Sequence, residues 1–104
     1  MTKQKTVQLD AKSTFNALSN AKHIFAYVQE NIKFKPLKYV ESDESLKLVV
    51  VNESGEIDGL FTDSPTAIQS LKEVQIAFGD EMPFIQLKQR QTAKGNTIYY
   101  CEVQ

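Results

Sequence analysis

Phe84-Ile85-Gln86-Leu87-Lys88-Gln89-Arg90, followed after a short interval by Thr97-Ile98-Tyr99-Tyr100-Cys101-Glu102-Val103, is the part of the chain whose reading decides the fold. Both segments alternate with the period of two that belongs to a β-strand. Lys94-Gly95-Asn96 lies between them, and Gly and Asn tolerate the positive φ that a tight hairpin needs. Alternation puts Ile85 and Leu87 on one face of the first strand and Phe84, Gln86, Lys88 and Arg90 on the other. In the returning strand Tyr99, Cys101 and Val103 oppose Ile98, Tyr100 and Glu102, so one tyrosine points away from the core.

Upstream of this hairpin, Asp63-Ser64-Pro65 has the form of a helix start, a capping oxygen followed by proline at the first helical position. Ala67, Leu71, Val74 and Phe78 then recur at helical spacing, Ile68 and Ile76 widen the stripe, and Gly79 closes it. Leu46–Val51 is rich in branched residues and apolar on both faces, which predicts a central strand. Asn52-Glu53-Ser54-Gly55 supplies a turn, and Ile57–Phe61 returns as the partner strand, with Gly59 marking a bulge or a close approach. Leu37–Val40 starts a further strand ahead of the acidic turn Glu41-Ser42-Asp43-Glu44.

Toward the N-terminus, Leu18, Ala21, Phe25, Val28 and Ile32 fit one helix of four to five turns, flanked by Phe15 and Ile24 and capped by Ser13. Ser19-Asn20 is its weak point, where it can bend or split. Lys33-Phe34-Lys35-Pro36-Leu37-Lys38 ends it as a basic connecting segment, because proline has no amide proton and forces the preceding residue toward extended geometry. Thr6–Asp10 alternates as a short strand.

The sum is one α+β domain spanning residues 1–104: a five-stranded antiparallel sheet with a helix between strands three and four and an additional N-terminal helix. That strand and helix order resembles the OB-fold, a small Greek-key barrel that often binds single-stranded nucleic acid through its sheet face and loops. The closing basic strand, Lys-Gly-Asn turn and Tyr-Tyr pair are also similar to the terminal hairpins of small single-stranded DNA-binding proteins of phages and mobile elements. This second resemblance covers about a fifth of the chain.

At 104 residues with 41% hydrophobic and 24% charged side chains, the chain can bury a core without metal or disulfide support. Its single cysteine, Cys101, forms no internal disulfide and suits a reducing compartment. No apolar run approaches the roughly 18 residues of a membrane span, and no signal-type apolar stretch follows Met1–Lys5, so a soluble cytoplasmic protein is expected.

Catalysis is not expected. The one histidine, His23, has no nucleophile or orienting carboxylate at helical spacing, and Cys101 reads as a small buried apolar residue. One His and one Cys build no zinc site; Glu41, Asp43 and Glu44 lack the spacing and glycine of a calcium loop. The four glycines make no phosphate loop, so no cofactor is implied.

The net charge of −1 conceals a bipolar chain. Residues 1–38 carry seven lysines against Asp10 and Glu30, a net +5; residues 39–81 carry −8; residues 82–104 carry +2. Two readings follow. In the first the protein is a non-enzymatic binder of single-stranded DNA: Lys33, Lys35, Lys38, Lys88, Arg90 and Lys94 neutralise phosphates while Phe34 and Tyr100 stack on bases. In the second it is an interaction module, an accessory factor or inhibitor, that meets a basic protein through Glu41, Asp43, Glu44, Glu53, Glu56 and Asp58. A homodimer through Leu46–Val51 is open to the second reading if that strand lies at a sheet edge.

Overall fold

A computed structural model describes residues 10–104. The elements in order are α1 (Ala11–Ser19), β1 (Lys22–His23), α2 (Phe25–Gln29), β2 (Lys33–Glu41), β3 (Leu46–Asn52), β4 (Ile57–Thr62), α3 (Pro65–Phe78), β5 (Ile85–Gln91) and β6 (Thr97–Val103). The expected strand Thr6–Asp10 lies outside the described residues apart from Asp10, which is the N-cap of α1 and accepts from the Ser13 amide at 2.7 Å. Asp10, not Ser13, therefore caps the helix.

The strands form one curled, half-barrel mixed sheet in the order β1-β4-β3-β2-β5-β6. Every pairing among β2 to β6 is antiparallel, and α3 falls between the third and fourth of these five, as the sequence predicts. The sixth strand, β1, is parallel to β4 and comes from the middle of the stretch expected to be one helix. That architecture is compatible with an OB-like fold, though the strand count differs.

The N-terminal helix is split where Ser19-Asn20 weaken it. Asn20 closes α1, its amide bonding back to Asn16, and the chain then extends far enough for Lys22 and His23 to pair with Leu60 and Phe61. The expected stripe holds only in part: Val28 and the flanking Ile24 are buried and Ile32 packs against the core, but Ala17 and Tyr27 are buried outside it, while Phe25 and Phe15 are 40% and 67% exposed. Asn31 then takes φ 55°, with the Ile32 amide bonding to Tyr27 and the Asn31 amide to Val28. This is a left-handed helix stop, for which asparagine is the best non-glycine residue.

The two faces of the sheet are covered differently. On the inner face α2 and α3 enclose Phe34, Leu46, Leu48, Val50, Leu60, Leu71, Ile85 and Leu87. Ser64 caps α3, Pro65 opens it and Gly79 closes it at φ 58°, as expected, but Ile76 is 83% exposed and belongs to no core. On the outer face α1 lies over β3 and β4, where Gly59 approaches the Ala17 backbone too closely for any Cβ.

α3 also protects the end of the sheet. The outward amides of Tyr99 and Cys101 donate to Thr66 Oγ1 and Ser70 Oγ, both at 2.9 Å, so hydroxyls one helical turn apart occupy an edge that another strand would use. Leu46–Val51 is an inner strand with both neighbours in place, which removes the dimer expected through it.

Burial opposes the ionisation of three groups inside this arrangement. The Cys101 thiol is pushed up to about 11 from its ordinary 9.0, and the phenols of Tyr27 and Tyr39 are also raised, Tyr27 additionally by donating to Asp58 Oδ2 at 2.9 Å. A raised value means that the folded state holds a proton the unfolded state releases, so the stability that the Cys101 thiol contributes is fully present below pH 9 and is lost as pH rises from 9 toward 11. We expect the urea midpoint to drop between about pH 8 and pH 10.5, and the drop to be smaller in Cys101→Ala. Equal drops in the two proteins would remove the thiol as a contributor.

Candidate nucleic-acid interface

Residues 31–40, between Glu30 and Glu41, and residues 82–101, between Glu81 and Glu102, contain cations and no carboxylate. The first holds Lys33, Lys35 and Lys38, the second Lys88, Arg90 and Lys94. Folding turns them into neighbours, because β2 pairs with β5 through Lys33 opposite Gln86 and Phe34 opposite Ile85. Partners directly opposite across a ladder share a face. Phe34 and Ile85 therefore point inward, and Lys33, Lys35, Gln86, Lys88 and Arg90 point outward.

The expected connecting segment Lys33–Lys38 is thus the first part of a nine-residue strand. Pro36 is accommodated because the β2–β3 register shifts between Pro36 and Lys38, which leaves Leu37 outside the ladder and turns Lys38 outward opposite Val49. Reading the segment as strand also corrects Phe34. Alternation with Lys33 and Lys35 directs it inward, where it is 0% exposed and meets Tyr27 edge-to-face at 5.5 Å, so it cannot stack on a base.

The aromatic beside Lys35 on the outer side is Phe84 instead. It lies just before β5, partly exposed, with Lys35 Nζ 5.5 Å from its ring centroid. Lys33, Lys35, Glu53, Met82, Pro83 and Phe84 line an open depression of about 650 Å³. The signal was present in the sequence, since Phe84 shares the period-two face of Lys88 and Arg90.

Lys88 lies opposite Tyr100 in the ladder and forms an ion pair with Glu102 Oε1 at 3.0 Å. The hydrogen bond and charge of Glu102 hold the Lys88 ammonium above its ordinary value. Lys88 is consequently engaged with Glu102. Gln86 is buried and donates from Nε2 to Asn31 Oδ1 at 3.2 Å, which fixes the α2–β2 corner to β5 and withdraws Gln86 from the exposed set. Lys33, Lys35, Lys38, Arg90 and Lys94 take part in no ion pair among the described residues. Arg90 and Lys94 sit further out on the hairpin than Lys33 and Lys35, Lys94 in its turn.

The acidic segment does not become one surface. Glu41, Asp43 and Glu44 lie at the β2–β3 turn and Glu53 and Glu56 at the β3–β4 turn, at opposite ends of β3. Glu41 pairs with Lys72 on α3, and Asp58 is spent internally on Lys22, the Tyr27 hydroxyl and the Gly59 amide. No three metal-ligating side chains converge among the described residues, and no helix among them is long and apolar enough to cross a membrane. His23 is exposed, its Nδ1 accepting the Phe25 amide at 3.0 Å and its ring edge-on to Phe61. No family model, curated protein or solved structure matches the chain.

Proposed function

We propose that the protein is a non-enzymatic binder of single-stranded DNA whose platform is the outer face of β2 and the root of the β5–β6 hairpin. The observation that carries this reading is the pairing, as adjacent strands, of residues 31–40 and 82–101, which between them hold six cations and no carboxylate. Lys33, Lys35 and Lys38 track the phosphates, with Lys88 joining them when it exchanges Glu102 for phosphate. Phe84, beside Lys35, and Tyr100, opposite Lys88, offer π-faces for bases; stacking of this kind accepts any base and so implies little sequence preference.

In this reading the sheet is an opened OB-like barrel with one departure. An OB barrel binds across its second and third strands. The corresponding β3 and β4 carry α1 on their outer face here, which moves the ligand to the neighbouring β2–β5–β6 face. The alternative, an acidic surface for a basic protein, has less support because its carboxylates are divided between two turns and partly consumed by internal pairs.

The test is fluorescence anisotropy with a labelled single-stranded DNA at low salt and at about 200 mM, since phosphate-driven binding must weaken steeply with salt. The double variant Lys33→Glu, Lys35→Glu is expected to weaken binding at low salt by about tenfold or more and to flatten the salt slope by about two. Absence of binding by the wild type at low salt, or binding by a stably folded double variant equal to wild type, refutes the platform.

A further inference from the structure

The β5–β6 hairpin extends well past the strand it is anchored to. β5 and β6 pair through seven positions, from Ile85 opposite Val103 to Gln91 opposite Thr97, whereas β2 holds β5 through only two. Because β2 and β5 run in opposite directions, the later pairs lie beyond the first residue of β2. Among the described residues, the hydrogen bonds past Gln89 and Tyr99 stay within the hairpin: Gln91 Nε2 to Thr97 Oγ1, Thr92 amide to Asn96, and Asn96 amide to Thr92 Oγ1. Arg90, Gln91, Lys94, Asn96 and Thr97 are exposed there. Among the described residues, the tip is therefore a two-stranded ribbon tied only to itself.

Its composition is specific in two respects. It carries two cations and no carboxylate, Glu102 lying back at the root beside Lys88. Its other polar groups, Gln91, Thr92, Asn96 and Thr97, donate and accept hydrogen bonds without charge. A two-stranded ribbon has the dimensions that the major groove of B-form DNA admits, and Arg, Asn and Gln are the side chains that pair with base edges there. A-form RNA closes that groove to side chains.

Resting on the single-strand platform argued above, we propose that this ribbon docks in the major groove of a DNA duplex adjoining the bound strand, so that the preferred ligand is a junction between single-stranded and duplex DNA. The platform holds the strand at the ribbon's root, and the tip reaches the duplex. Arg90 and Lys94 serve the duplex arm and lie outside the platform. Two linked contacts make the second one intramolecular, which raises affinity without any new chemistry.

The experiment compares a tailed DNA duplex, its single strand alone, the blunt duplex and the equivalent tailed RNA by anisotropy at one salt concentration. The tailed DNA duplex is expected to bind about tenfold or more tightly than the single strand or the blunt duplex. Arg90→Gln, Lys94→Gln is expected to bring the ratio of tailed-duplex to single-strand affinity from about tenfold down to about one, whatever the change in single-strand affinity itself, while tailed RNA gains nothing over its own single strand. Circular dichroism verifies that the variant is folded. Equal binding of the tailed duplex and the single strand overturns the junction and leaves the platform standing, as does a variant that weakens both ligands alike. Failure of the single strand to bind at all overturns the platform and the junction together.

Discussion

Phe34→Ala is expected to lower the unfolding free energy by about 3–5 kcal/mol, the cost of removing a fully buried phenyl ring and leaving its cavity. Phe34 lies where β2 meets β5, opposite Ile85 in register, and its ring stands edge-to-face with Tyr27 at an interplanar angle of 73°. Tyr27 in turn holds Asp58, so the loss spreads from the sheet to α2 and β4. For a domain with a total stability of about 5–15 kcal/mol, thermal midpoint should fall on the order of 20 °C. Urea and thermal denaturation measure it; a loss below about 1 kcal/mol would contradict the burial of this ring.

The same position separates a core role from a binding role. Phe34→Leu keeps most of the apolar volume and should bind single-stranded DNA like the wild type under conditions where both are folded. Phe84→Ala should do the reverse: binding falls by about 1–3 kcal/mol, the worth of one stacked base, with a small effect on stability. A folded Phe34→Leu protein that fails to bind would return Phe34 to the interface.

Phe34 is buried and Phe84 is partly exposed, and the sequence signals their surroundings unequally. The terminal hairpin is legible because period two continues through both arms and Gly95, at φ 86°, sits where the turn needs it. β3, β4 and α3 are legible for similar reasons: branched residues in a run, a turn of polar residues and glycine, and a capping serine before proline. Lys33–Lys38 was not, because Pro36 is a strong local signal against a strand and its cost is removed by a shift in register that only the partner strand reveals. The first helix fails in the same manner. Leu18, Ala21, Phe25, Val28 and Ile32 keep helical spacing across a break, but the pairing of Lys22 and His23 with β4 takes over once Asn20 has ended α1. In the candidate site, charge was readable and juxtaposition was not. Lys33 and Lys88 are more than fifty positions apart in sequence, and only the β2–β5 pairing places them on one surface.

Gly59 combines both lessons and carries the second large effect. Its sequence context suggested a bulge or a close approach, and the structure decides for the approach: a Cβ built there would stand 1.9 Å from the Ala17 carbonyl oxygen and 2.7 Å from its carbon. Both are backbone atoms, so no rotamer change relieves the clash, and Gly59→Val must move α1 off the sheet. Overpacking against side chains costs about 1–3 kcal/mol, and a collision with backbone is expected at the upper end of that range or beyond it. The nine residues of α1 are too few to hold a helix alone in water. Once displaced, α1 should therefore unfold and uncover Val49, which faces it beside Gly59. Hydrogen exchange is the decisive measurement: amides of α1 should lose protection in Gly59→Val, while those of β3 and the β5–β6 hairpin keep theirs. Retained protection with unchanged stability would mean that α1 slides without cost. Where the variant stays folded, single-strand binding should survive, because among the described residues Lys33, Lys35 and Phe84 have no hydrogen bond or ion pair with α1, whose polar tie to the sheet is Lys47 Nζ on the Leu18 carbonyl.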